Sequence, residues 1–171
     1  MKFREPTREE RTRLNRALDT WGVFEFFKDK VVVITEVTPN KVCLISAGIG
    51  PILSKFEPEY AGLVIGELQK VFTPSMQGAD LFARHSKKDH HYIAVNENAE
   101  QLILYGRDVM GDSIIHASDA LDENQLVIIM NSRKEAIGVG RTRFAGKSIT
   151  QMGRITVTTL ADAGSYFRDE G

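Results

Sequence analysis

The chain reads as α+β: an N-terminal α/β-sheet domain over residues 1–95, then a mostly β module over residues 96–171. Three observations predict this. A capped amphipathic helix near the start leads into β-branched runs broken by proline turns. A polar cluster, Asn96-Glu97-Asn98, then marks a change in pattern and the best candidate boundary. Beyond it, apolar strands finish in segments alternating small and large residues, as a small barrel requires where it bends.

Thr7-Arg8-Glu9-Glu10 has the form of a capping box, in which the Thr7 hydroxyl and the Glu10 carboxylate satisfy each other's backbone N–H groups. Leu14, Ala17, Leu18 and Trp21 follow on one helical face, and Gly22 supplies the stop. Arg8, Arg11, Arg13 and Arg16 alternate with acids and read as a solvated face, with RNA contact the rival reading. Phe24, Phe26 and Phe27 are candidates for core packing or for a docking face. Residues 31–37 and 41–47 are strand runs around Thr38-Pro39-Asn40; Pro39 fixes φ there and Asn40 tolerates a left-handed turn. A loop and short helix occupy residues 46–56. Its Gly48-Ile49-Gly50-Pro51 lacks the Gly-Lys-Ser/Thr ending of a phosphate loop.

Residues 61–72 suit a strand despite Gly62 and Gly66, and Thr73-Pro74-Ser75 breaks it. Residues 78–83 read as another short strand. Residues 84–91 form a polar loop before a strand over 92–95. His85, His90 and His91 invite a metal site, but no thiol or helical His-x-x-x-His accompanies them, so no metal ligands are assigned. If that loop functions, Arg84, Lys87 and Lys88 suit phosphate better.

In the second half, residues 102–105 read as a short strand, Gly106 as a tight turn, and residues 107–110 as a helical turn closed by Gly111-Asp112. Residues 126–130 form a nearly continuous apolar strand, as inside a barrel. A polar hairpin over 131–135, alternating strands over 136–141 and 154–160, and an ending over 162–168 complete it. Tyr166 and Phe167 in that ending read as buried.

Composition bounds function. Apolar residues at 42% and charged residues at 26% describe a globular chain, outside the disordered range. No apolar stretch nears the roughly 18 residues that span a bilayer, and the charged start shows no secretory signal. The single Cys43 cannot form an internal disulfide and reads as a small buried hydrophobe in a reduced cytoplasmic compartment. The net charge of −1 hides an uneven distribution. Residues 97–123 hold one Lys or Arg against seven acids, whereas residues 133–154 hold six against Glu135 alone. Phosphate binding needs locally dense cations on one face rather than a basic whole; the competing reading is a solvated, aggregation-resistant surface.

The residues Leu104-Tyr105-Gly106-Arg107-Asp108-Val109, Ile137-Gly138-Val139-Gly140-Arg141 and Asp162-Ala163-Gly164-Ser165-Tyr166-Phe167-Arg168 resemble the opening, exit strand and ending of PUA domains. The likeness covers residues 99–170 and implies a C-terminal PUA-type β-barrel. With the Ala99-Glu100-Gln101 lead-in, the preceding domain and Lys70-Val71-Phe72-Thr73, the whole chain resembles the Nip-seven ribosome-assembly family, its archaeal members in particular. That resemblance implies an RNA-binding protein of large-subunit assembly and rRNA-precursor processing, with a leaning toward uridine-rich single strands. It also implies no enzymatic activity and no cofactor, partner proteins docked on the N-terminal domain, no membrane association, and nucleolar placement in a eukaryotic source.

On this reading RNA contact falls to Arg107, Arg141, Arg143, Lys147 and Arg154. Arginine's planar fork takes two phosphate oxygens or stacks on a base, and Lys147 acts as a mobile point charge. Exposed N–H groups at the Gly106 turn are expected to assist, and Phe144 is a candidate for base stacking or for core packing. Thr150, Gln151, Thr156 and Thr158 stand where family members carry cations, which implies modest affinity. The alternatives are an RNA-modifying enzyme, a protein-docking scaffold, or an accessory RNA-binding subunit of a modifying or degrading complex. Asp80 and Asp89 are isolated acids, and no nucleophile, paired carboxylates or cofactor loop is evident.

Overall fold

The computed structural model describes residues 1–168, the side chain of Tyr166 excepted. The burial expected of Tyr166 and the last residues of the C-terminal resemblance lie outside the described residues. The chain divides into two compact units, Met1–Gly78 and Ala79–Gly171.

In the first unit, β1 (Phe3–Arg4), β2 (Val31–Thr35), β3 (Lys41–Ile45), β4 (Leu63–Leu68) and β5 (Phe72–Pro74) form one antiparallel sheet in chain order. Helix α1 (Arg8–Thr20) starts at the expected capping box: Thr7 Oγ1 accepts from the Glu10 N–H at 3.2 Å, and Glu10 Oε2 accepts from the Thr7 N–H at 2.8 Å. Its Leu14 and Leu18 are buried, and Gly22 ends it at φ +75°. In α2 (Phe24–Phe27), Phe27 is buried while Phe24 and Phe26 are half-buried. Helix α3 (Gly50–Phe56) sets Leu53 against Val33, Cys43 and Ile45. Cys43 is buried there, and burial pushes its thiol pKa up, so it serves as a small apolar side chain. At the β2–β3 hairpin, Asn40 acts through its side chain: its amide donates to the Thr35 carbonyl at 2.7 Å.

Residues 76–85 form helix α4 (Met76–His85), not the strand expected over 78–83. Ser75 begins it, its hydroxyl accepting from the Gly78 N–H at 2.9 Å, and Ala79 and Phe82 are buried three apart. Gly78 misleads because glycine disfavours helices, yet a Cβ there would stand 1.8 Å from the Ile65 carbonyl oxygen. Close approach requires it.

The second unit contains β6 (Tyr92–Val95), α5 (Glu97–Leu104), β7 (Val109–Met110), β8 (Ile114–Ala117), β9 (Leu126–Met130), β10 (Ala136–Thr142), β11 (Ile155–Asp162) and α6 (Ser165–Arg168). Its six-stranded sheet has the order β7-β11-β10-β9-β6-β8, parallel only between β6 and β9. A 3₁₀ turn over Gly111–Ser113 joins the two edge strands, β7 and β8. The ends of the sheet therefore meet, and it curls into a nearly closed barrel. Bulges at Val139/Gly140 and Ala136/Gly138 bend β10 where the small residues alternate. Ile93, Ile103, Val127, Ile129 and Val157 fill the interior.

Three details of this unit depart from the sequence reading. Residues 107–110, expected as a helical turn, contain no helix and end in strand β7. Strand β6, expected to close the first domain, lies between β9 and β8 in this second sheet. Residues 97–104 form α5 where a strand was expected over 102–105; Asn96 is its N-cap, accepting from the Ala99 N–H at 3.0 Å. The turn cluster at residue 96 is a helix start.

Candidate nucleic-acid interface

Gly106, at φ +79°, turns the chain out of α5 and into β7. Its N–H donates to the Ile103 carbonyl at 2.8 Å, and that of Arg107 to the Leu102 carbonyl at 3.0 Å. The expected phosphate-facing N–H groups are thus consumed in closing the helix. This is moreover a helix C-terminus, whose partial charge is negative and repels anions. Any phosphate contact here belongs to the Arg107 side chain.

Pairing of β10 with β11 sets Arg141 opposite Thr158. Arg143, just beyond β10, donates from Nε to Thr158 Oγ1 at 2.8 Å and from Nη2 to Asp108 Oδ2 at 3.1 Å. The other Asp108 oxygen accepts from the Thr159 N–H at 2.9 Å, and Thr159 Oγ1 donates to the Arg107 carbonyl at 2.9 Å. Arg107, Arg141 and Arg143 are therefore linked through Thr158, Thr159 and Asp108. Arg143 is not free: one carboxylate already takes part of its fork. Arg141 donates to the Asn124 carbonyl at 2.8 Å, which leaves its charge without a counter-ion among the described residues.

Arg154 lies over the Phe144 ring at 5.3 Å from its centroid and reaches Gln151 Oε1 at 3.4 Å. Phe144 is half-buried beneath that guanidinium. Lys147 is exposed on the 3₁₀ turn Gly146–Thr150 that follows. The exposed rings lie elsewhere. Tyr105 is 74% exposed beside Arg107, and Phe167, expected to be buried, is 83% exposed. Arg168 fixes α6 here, paired with Asp162 at 2.8 Å and bonded to the Leu104 carbonyl.

A model of the UPF0113 PUA domain matches residues 91–171, starting just ahead of β6, and one of the NIP7/UPF0113 pre-PUA domain matches residues 3–76. A UPF0113 protein from Archaeoglobus fulgidus is 30% identical over 172 residues, covering 99% of this chain and 97% of the relative. The chain belongs to the NIP7/UPF0113 family. Its fold is shared by a conserved PUA domain protein from Thermoplasma acidophilum, with TM-score 0.67, 14% identity, and 95% and 93% of the two chains covered. A hypothetical protein from Pyrococcus horikoshii gives TM-score 0.68 at 16% identity, covering 94% of each chain. The NIP7/UPF0113 pairing of pre-PUA and PUA domains implies RNA binding.

Outside this face, the histidine-rich loop of the NIP7/UPF0113 chain packs against residues around the start of β9 and on β8. Nδ1 of His91 lies 3.2 Å from the Leu126 carbonyl and 2.9 Å from the Gln125 amide, and burial lowers its pKa. Asp89 accepts from His116 at 3.3 Å. Asp80 pairs with Arg84 at 2.6 Å, one turn along α4. Among the described residues no group of three or more His, Cys, Asp or Glu side chains is placed to hold a metal ion, and no helix is long and apolar enough to cross a membrane.

The sequence reading missed the roles of Asp108 and Thr159 and read Thr158 only as an absent cation. Thr158 stands where a cation was looked for, and with Thr159 it acts by orienting Arg143 and the Arg107 turn. Only the strand register brings Asp108 to Arg143, 35 residues away.

Proposed function

We propose that this protein is a non-enzymatic RNA-binding factor of large-subunit assembly and rRNA-precursor processing, working in the cytoplasm. Its PUA domain holds single-stranded RNA, and its pre-PUA domain docks protein partners. The observation that carries this is the pair Arg141 and Arg143 at Thr158 on the β10–β11 pair, joined through Asp108 and Thr159 to the backbone of the Arg107 turn, beside which Tyr105 is exposed. Guanidinium groups neutralise phosphates, and an exposed ring offers a sequence-tolerant stacking surface. Preference for uridine-rich strands fits such a surface, because small pyrimidines leave the backbone flexible enough to reach both ring and guanidinium.

Crosslinking the full chain to RNA in cells and identifying the attached transcripts tests the reading. Enrichment of large-subunit rRNA precursors is the expected result; a spread proportional to RNA abundance contradicts it.

A further inference from the structure

We propose a second RNA-phosphate site on the C-terminal unit, in the cavity where Lys87, Lys88 and Lys134 meet above Tyr92 and Met130. It rests on the RNA-binding reading and extends it to a separate part of the barrel.

The cavity holds about 530 Å³, enough for a nucleotide. Its floor is apolar: Tyr92 on β6 and Met130 on β9 are buried at 3% and 9% exposure. Three segments distant in sequence supply the rim. Lys87 and Lys88 come from the loop after α4, where Ser86 Oγ accepts from the Lys88 N–H at 3.1 Å and donates to the Lys88 carbonyl at 2.6 Å. Lys134 comes from the β9–β10 hairpin at φ +61°, and His116 from β8. Asp89, the one acid in the lining, is bonded to His116 at 3.3 Å. Lys87 and Lys134 make no ion pair among the described residues.

Lys87 and Lys134 beside one engaged carboxylate attract an anion, and a cavity of this volume has room for the nucleotide that carries it. Lys134 precedes β10 and Arg141 lies near its far end, so strand rise separates them by about 20 Å. A single strand of several nucleotides reaches both. The Lys88 stretch was singled out in the sequence as suited to phosphate, and the barrel adds Lys134, which no local pattern connects to it.

The test is an anisotropy titration of a labelled single-stranded RNA, about 20 nucleotides long, against the full chain at several salt concentrations. Lys87→Glu with Lys134→Glu should weaken binding about tenfold, and charge removal should flatten the salt slope by about 1.4, from about 0.7 per lost phosphate. Lys87→Arg with Lys134→Arg should bind like the parent. Unchanged affinity and slope in the glutamate variant, with the parent binding normally, overturn this site and leave the arginine face standing. Loss in the arginine variant too means that charge is not the agent, and also overturns it. A parent chain that fails to bind overturns the RNA-binding reading together with this site.

Discussion

Asp108 holds Arg143. Its Oδ2 accepts from Nη2 at 3.1 Å while Oδ1 accepts from the Thr159 N–H at 2.9 Å, so one carboxylate both closes the barrel edge and restrains a candidate RNA contact. The pair is partly exposed, with side-chain accessibilities of 43% for Arg143 and 29% for Asp108. Such pairs contribute about 0–1 kcal/mol, so an incoming phosphate competes on nearly equal terms.

Asp108→Asn keeps an oxygen acceptor for Thr159 and removes the charge. RNA affinity should rise several-fold with the salt slope little changed, because the phosphate no longer has to displace a carboxylate from Arg143. Anisotropy titrations at two salt concentrations measure both. Weaker binding means that Asp108 positions Arg143 for RNA rather than competing with it.

Tyr105→Ala should leave folding intact, because the ring is exposed. Single-strand affinity should fall by about 1–3 kcal/mol with no change in salt slope, the signature of lost stacking rather than lost charge. Phe144→Ala behaves differently. Its ring is half-buried under Arg154, so thermal stability should drop along with any loss of binding.

Much of the fold was legible, and each failure has its own physical cause. The capping box at Thr7 and the hairpin around Pro39 are written in adjacent residues. The boundaries of α4 and α5 were also present, as Ser75 and Asn96 at N-cap positions with Gly106 after the second helix. Gly78 obscured the first, since its reason for being there is the Ile65 carbonyl of another segment. The sequence Leu102-Ile103-Leu104-Tyr105 obscured the second, because a short apolar run fits strand and helix alike. At the interface the cations could be named but not their partners. Asp108, Asn124 and Thr158 reach Arg143 and Arg141 only through strand register.

Glu10 links the helix cap to β1. Its hydrogen bonds with Arg4, at 2.7 and 2.8 Å, lower its pKa to about 2, against the opposing effect of burial. A carboxylate with a depressed folded-state pKa stabilises above its unfolded value, near 4.5, and loses that contribution as pH falls toward about 2. Glu10→Gln should therefore cost on the order of 1 kcal/mol at pH 7, and the gap to the parent should close between pH 4.5 and 2. Urea denaturation across that range measures it, and a constant gap contradicts the assignment.

Asn96→Ala removes the α5 cap and should cost about 1 kcal/mol in the same assay. No change in urea midpoint contradicts the cap.

The central claim is that the β10–β11 arginines contact the RNA backbone. Anisotropy titration of the parent and of Arg141→Ala with Arg143→Ala, on one uridine-rich single strand across salt concentrations, tests it most directly. The account predicts affinity at least tenfold weaker and a salt slope lower by about 1.4; an unchanged affinity and slope contradict it.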